Sequence, residues 1–278
     1  MRIILLLVLL AAAAPGRAET VATCAGYIDT LPATISTGGT WCLDHDLATS
    51  MTSGNAITIA ANNVTIDCNG FKIGGLGAGP ATTTVGIAAD TRLNATIRGC
   101  TLRGFRAGVL LAAGGGHLVE NNRVESSTVA GLFLTGPGVI RGNQVFGTAG
   151  TGLAVGIAAY GVIDVIGNTV SGVRNPQSGG TVYGILISGN TGSLAERNLI
   201  RGLDTVDGFP YAFYFASNSD RVLFRDNEIL GRAEEIEGRG IFCQAGESNA
   251  LMHGNSFLDV AYPSNGCVDG GRNVEVLP

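Results

Sequence analysis

The sequence predicts an all-β chain, a single-stranded right-handed parallel β-helix of about eight or nine turns with a disulfide-stapled N-terminal cap. Three observations carry this reading. Glycine supplies 43 of 278 residues while charged residues make up 14% and aromatics 6%, a balance suited to many tight turns between short strands. The glycines follow no Gly-X-Y period, which sets fibrous alternatives aside. Laid on itself, the chain keeps two apolar columns in register through eight copies of one degenerate repeat.

The repeat is anchored on Asn69, Asn122, Asn143, Asn168, Asn198, Asn227 and Asn255, with Cys100 filling the place once; successive steps are 31, 22, 21, 25, 30, 29 and 28 residues. Three residues before each anchor stands Ile66, Ile97, Val119, Ile140, Val165, Ala195, Phe224 or Met252. Two residues after it stands Phe71, Leu102, Val124, Val145, Val170, Ile200, Ile229 or Phe257. Glycine follows four residues after it at Gly104, Gly147, Gly172, Gly202 and Gly231. Turns stacked about 4.8 Å apart bury such columns against one another, and no turn buries its own core alone. Asparagine suits the corner because it tolerates left-handed backbone angles and its amide can bond the next asparagine in the stack. These asparagines are therefore read as structural.

Two residues before each anchor, on the outer face of the same strand, stand Asp67, Arg98, Glu120, Arg141, Ile166, Glu196, Arg225 and His253. Their signs alternate along the axis, so neighbours pair. Such a column is architecture and not a trough for substrate. His117 aligns with an inward position as a core residue, and His253 lies at the surface.

The ends and the cysteines set the compartment. Arg2, the apolar run Ile3 to Ala14, Pro15 and small residues before Glu19 read as a signal peptide over 1–18, cut after Ala18. Loss of Arg2 and Arg17 with it takes the net charge from −5 to −7. An acidic chain without a basic cluster is no nucleic-acid binder. No mature segment is apolar for long enough to span a bilayer. The expected product is a secreted or periplasmic monomer, with an N-terminal cap over 19–55 and the β-helix over 56–278. Six cysteines in an exported chain fit three disulfides. Cys24 and Cys42 would staple the cap, Cys68 and Cys100 fall on successive turns, and Cys243 with Cys267 remain by elimination, two residues out of register. No Cys-x-x-Cys or histidine cluster indicates a metal.

The segment "NAITIAANNVTIDCNGFKI" (55–73), preceded by "TWCLDHDL" (40–47), resembles the opening turns of bacterial secreted right-handed β-helix proteins of the pectin-lyase-like fold, which often carry carbohydrate-binding and sugar-hydrolysis repeats. The resemblance covers essentially the whole mature chain and is more specific for fold than for activity. It implies a polysaccharide partner. In pectate-lyase-like enzymes the substrate cleft lies beside long loops, and here the turns lengthen at 173–183, 203–211, 232–238 and 259–266. Long adjacent loops on a rigid scaffold are where function is usually carried.

These loops and their flanks hold the candidate chemistry. Asp204, Asp207, Glu234, Glu235 and Glu237 are the candidate catalytic acids and bases, and Arg201 and Arg239 the candidate substrate cations. A glycosidase needs two carboxylates across the scissile bond. A lyase on uronates needs a base near the ring carbon and a cation or Ca²⁺ on the carboxylate, which leaves Ca²⁺ as an open cofactor. The opposing reading is that acidic loops are simply solvated. The polygalacturonase pattern is absent, since there is no Asp-Asp pair and no Gly-His-Gly. "Trp41-Cys42-Leu43-Asp44-His45" resembles a pectate-lyase strand motif by letters but lies ahead of the repeats.

The strand beside the loops turns Ile185, Ile187, Phe213 and Phe215 inward and presents Leu110, Phe133, Ala154, Leu186, Tyr214, Phe242 and Val268 outward. Tyr214 and Phe242 are thus candidate sugar-binding aromatics, or else buried beneath the loops. Three functions stay open: an enzyme on an extracellular polysaccharide, a non-catalytic sugar-binding module, and a structural or adhesive surface protein.

Overall fold

The computed structural model describes residues 23–189, 192–216, 221–231, 238–244 and 249–277. It is a parallel β-solenoid of about nine turns, with three sheets running the length of the coil. Sheet A has 11 strands, from Gly26–Tyr27 to Val268–Asp269. Sheet C has 10, from Leu47–Ala48 to Val274–Val276, and sheet B has 10, from Ala33–Ile35 to Tyr262–Asn265. Each turn runs from sheet B through A to C, and every strand pairs in parallel with its equivalents one turn away. Residues 26–48, ahead of the repeats in sequence, already contribute strands in this register, with Trp41 level with Ile66.

Both apolar columns occupy the interior. Ile66, Ile97, Val119, Ile140, Val165, Ala195, Phe224 and Met252 are successive partners in sheet A. Leu102, Val124, Val145, Val170, Ile200, Ile229 and Phe257 are successive partners in sheet C. All are buried.

The first member of the second column is corrected. Ile73, not Phe71, stands level with Leu102. The corner between Asp67 and Lys72 holds two more residues than the corner between Arg98 and Thr101, so counting from Asn69 slips the register by two.

A third interior column in sheet B consists of glycines at Gly86, Gly108, Gly131, Gly156, Gly184 and Gly240, with Ala212 standing between the last two. A Cβ on Gly131 would strike Val145 of sheet C and the carbonyl of Gly156. Glycine there lets the two sheets close on a narrow core.

The corner between sheets A and C is built as a ladder. The side-chain amide of Asn122 donates to Asn143 Oδ1 at 3.0 Å, and the series continues through Asn168, Asn198, Asn227 and Asn255 to Asn273 at 2.9–3.0 Å. Each of these amides also donates to a backbone carbonyl of the preceding turn, as Asn143 does to Val119. The ladder asparagines are not themselves left-handed. That conformation falls on the residue before each one, as at Asn121, Gly142, Gly167, Arg197, Asp226, Gly254 and Arg272. Asn69 has a φ of 50° and corresponds to such a position, bonding Leu43 O outside the ladder. Asn273, which the repeat count did not reach, closes the series.

The three disulfides join the expected partners, with Cα separations of 5.8 Å for Cys24–Cys42, 4.7 Å for Cys68–Cys100 and 5.3 Å for Cys243–Cys267. Phe242 stands level with Asn265, so the last pair is offset by one residue and not two. The smaller offset brings it within ordinary bridging distance.

The outer face of sheet A carries the ion pairs expected of it. Arg98 meets Asp67 at 2.8 Å, Arg141 meets Glu120 at 2.7 Å, and Arg225 meets Glu196 at 2.5 Å, with Ile166 interrupting the series. His117 is buried, accepting from the Ala95 amide and donating through Nε2 to Ala113 O. No helix among the described residues is long and apolar enough to cross a membrane.

Candidate functional site

The site builds up from sheet B, whose outer face presents two adjacent columns. One runs Val85, Ala107, Ala130, Val155, Tyr183, Tyr211, Arg239, Tyr262. The other runs Ala88, Leu110, Phe133, Ala158, Leu186, Tyr214, Phe242, Asn265. Two members of the expected outward column are therefore corrected. Ala154 is buried inside, level with Val182, and its place is taken by Ala158. Val268 belongs to sheet A, level with Leu251, and its place is taken by Asn265. The correct positions lie two residues after the sheet-B glycine column, as Ala158 follows Gly156.

Along the axis the face changes character. The early turns carry small side chains that pack with Leu110, Phe133 and Leu186 into an apolar cluster separate from the interior. From Tyr183 onward the side chains become large and aromatic. Tyr183 stacks on Tyr211 at 5.6 Å between centroids, Tyr214 stacks on Phe242 at 5.4 Å, and edge contacts tie Tyr211 to Tyr214 and Phe242. Burial disfavours the charged form of two of these phenols: the Tyr183 phenol is pushed up to about 12, with the neighbouring phenols adding to the effect. The Tyr211 phenol moves up for the same reason, opposed in part by Arg239.

Stacking between turns means that most of these rings spend their faces on one another. Phe242 is different. Its column continues with Asn265, so one face is not stacked by the next turn and borders a cavity of about 180 Å³ lined by Arg239, Ile241, Phe242, Tyr262 and Asn265. Tyr214 and Phe242 are half-buried, and the Tyr214 hydroxyl donates to Gln244 Oε1 at 3.2 Å. The guanidinium of Arg239 lies 4.5 Å from the Phe209 ring centroid, 5.3 Å from Tyr211, 5.6 Å from Phe242 and 5.8 Å from Tyr262. Rings from its own strand and the two neighbouring ones thus surround one cation.

The loop acids are placed differently. The insertions at 173–183 and 203–211 zip together, Arg174–Ser178 pairing with Asp204–Val206. Asp204 is held by Arg174 at 3.1 Å. Asp207 takes a left-handed backbone and accepts from the Ser178 hydroxyl at 3.4 Å. Buried Asn175 anchors this ribbon, donating to Gly152 O at 3.1 Å. Glu234, Glu235 and Glu237 lie outside the described residues. Arg201 is exposed on sheet C, level with Ser171 and Leu230, whereas Arg239 is on sheet B, so the two candidate cations stand on different sheets. Half of the last expected loop, 259–266, is the final strand of sheet B, Tyr262–Asn265.

Sequence reasoning passed over Phe209, Gln244 and Asn265. Their signal was the two-residue alternation of sheet B, which aligns Asn265 with Phe242 once the register is known.

At the other end of the coil, Asp29, Asp44 and His45 form the one grouping of metal-type ligand atoms among the described residues, all within 4.8 Å of one another. All three are solvent-exposed, and His45 is bonded to Asp44 at 2.5 Å, which raises the histidine's affinity for its proton.

No curated protein sequence matches this chain. Among solved structures it is similar to the tailspike protein of E. coli bacteriophage HK620 in complex with pentasaccharide, at 12% identity and a TM-score of 0.48 over 90% of this chain and 60% of that one. A mutant of that tailspike, also in complex with pentasaccharide, gives 13% and 0.47 over 89% of this chain and 56% of that one. The chain thus spans less than two thirds of these tailspike chains. Alginate lyase from Paenibacillus sp. str. FPU-7 gives 14% and 0.40, covering 87% of this chain and 99% of that one. At this degree of likeness neither the pentasaccharide nor the lyase activity transfers to this chain. The model of the family described as "Right handed beta helix region" matches residues 45–200 and 85–277. Together these matches take in most of the chain, which belongs to the right-handed β-helix family.

Proposed function

We propose that this protein binds a polysaccharide outside the cytoplasm, on the outer face of sheet B in its C-terminal turns. The observation that carries the reading is the change along that face, from small side chains to a run of Tyr183, Tyr211, Tyr214 and Phe242 that ends in an open cavity beside Arg239. Aromatic rings offer apolar surface to the C–H faces of sugars, and the phenols, Gln244 and Asn265 offer hydrogen bonds to hydroxyls. A polymer lying along the axis would meet successive groups at steps of about 4.8 Å. Three disulfides suit an oxidising compartment.

Binding is favoured over cleavage because Asp204 and Asp207 are already engaged by Arg174 and Ser178 on a ribbon of their own. The test is retention of the mature chain on a panel of neutral and acidic polysaccharides, with reducing ends and unsaturated products followed in parallel, with and without Ca²⁺. Retention without product is expected, and Phe242→Ala and Tyr214→Ala should weaken it. Product that disappears in Asp204→Ala or Asp207→Ala would replace binding with catalysis. Failure to retain any polymer would remove the reading.

A further inference from the structure

The polar chemistry around Arg239 is unbalanced. Four rings cover the guanidinium within 5.8 Å, yet rings supply no acceptor in its plane. The Nε atom is buried and has no hydrogen-bond partner among the described residues. A buried N–H of a charged group left in this state is costly relative to one that is satisfied. A guanidinium presents five N–H groups in a flat fork that matches an oxyanion, and nothing else in side-chain chemistry suits that geometry so well.

The adjoining cavity gives the missing acceptor a place to come from. Among the described residues its lining of Arg239, Ile241, Phe242, Tyr262 and Asn265 contains one cation and no carboxylate. At about 180 Å³ it lies below the ~300–1,000 Å³ usual for sites that enclose a whole drug-sized ligand. It therefore suits one ring of a longer polymer. Phe242, whose column continues with Asn265, forms one wall, and Tyr262 and Asn265 line the same space.

We infer that this cavity is a subsite for one anionic sugar unit, its ring against Phe242 and its carboxylate or sulfate in the plane of the Arg239 guanidinium. The inference rests on the glycan-binding reading above and narrows its ligand to acidic polysaccharides. The shared chemistry is the oxyanion, and the polymer's own substituent decides which oxyanion it is.

The test compares three polymers of equal length on one β-linked backbone: neutral, carboxylated and sulfated. Their affinities for the mature protein are measured by affinity electrophoresis and calorimetry at a single ionic strength. The wild type should bind at least one anionic form tenfold or more tightly than the neutral form, and the preferred form identifies the oxyanion. Arg239→Met should bring that ratio close to one. Arg239→Lys, which keeps the charge without the fork, should fall between. Arg141→Met on sheet A should keep the full ratio. Equal affinity of the wild type for all three polymers would overturn the inference, and so would a ratio that survives Arg239→Met or falls equally in Arg141→Met.

A preference that appears only when Glu234, Glu235 and Glu237 are all changed to Gln would also overturn it, by showing that the chain's own carboxylates occupy the guanidinium. Should Arg239→Met fail to fold, the lysine variant and the salt dependence of the wild-type preference decide, because a contact to an oxyanion weakens with salt while ring stacking does not. Loss of binding to every polymer, neutral included, is the separate failure of the broader reading.

Discussion

Sheets A and B belong to the same coil and share its spacing, yet their outer faces do opposite things with charge. On sheet A each arginine is matched within its own column: Arg98 by Asp67, Arg141 by Glu120, Arg225 by Glu196. On sheet B the one cation of the column, Arg239, stands between Tyr211 and Tyr262 with rings as its neighbours. The first face completes its own interactions in place and leaves water outside. The second holds a cation, a phenylalanine face and an amide around a cavity, with their strongest interactions still available. A repeating scaffold can carry a ligand on one face only if that face does not satisfy itself.

The largest effect expected from testing this contrast comes from removing what supports both faces. Asn168 accepts from the backbone and side chain of Asn143 and donates to Ile140 O and Asn198. Asn168→Ala leaves several buried groups without partners and should lower unfolding free energy by about 3 kcal/mol. Chemical denaturation measures this, and a loss below about 0.5 kcal/mol would mean that the ladder does not couple the turns. Next is the aromatic face itself. Phe242→Ala should cost about tenfold in glycan affinity, or about 1.4 kcal/mol, and a matched change on sheet A should cost none.

Smaller still is the paired face. Arg141→Met should cost no more than about 1 kcal/mol of stability, since the arginine of this pair is more than half exposed at 55%. A larger loss would show that the column does more than hold register.

The smallest effect is at alkaline pH. Tyr183 ionises near 12 in the folded protein and near 10 when unfolded. Its neutral form therefore favours the fold below pH ~10, and that contribution fades as pH rises from about 10 toward 12. Tyr183→Phe cannot ionise and should make the alkaline melting curve less steep over that window. A curve that does not change would place the phenol in water.

Much of the coil was legible because burial in a solenoid repeats. Ile97, Val119 and Ile140 announce one another at fixed distance from an asparagine, and opposite charges fall into pairs by the same count. Legibility failed where a corner changed length. The two extra residues between Asp67 and Lys72 shifted Phe71 into the column that belongs to Ile73. Asn273 was overlooked because it follows Asn255 by 18 residues, a shorter step than any other in the series.

The candidate site was legible only in part. Tyr214 and Phe242 are read from their two-residue offset after the sheet-B glycine and alanine column. Most of the company of Arg239 could not be read, since Phe209 and Tyr211 on the turn before and Tyr262 on the turn after reach it through register alone.

By itself, then, the sequence determined the class of fold, its inward columns, the neutralised face of sheet A and the pairing of its cysteines, because each depends on a periodicity that a linear chain carries openly. Only the tertiary structure decided which face was left unsatisfied. That outcome depends on the length of each insertion, which sets what stands level with what. It depends equally on whether a ring's neighbour one turn away is another ring or, as for Phe242, an asparagine.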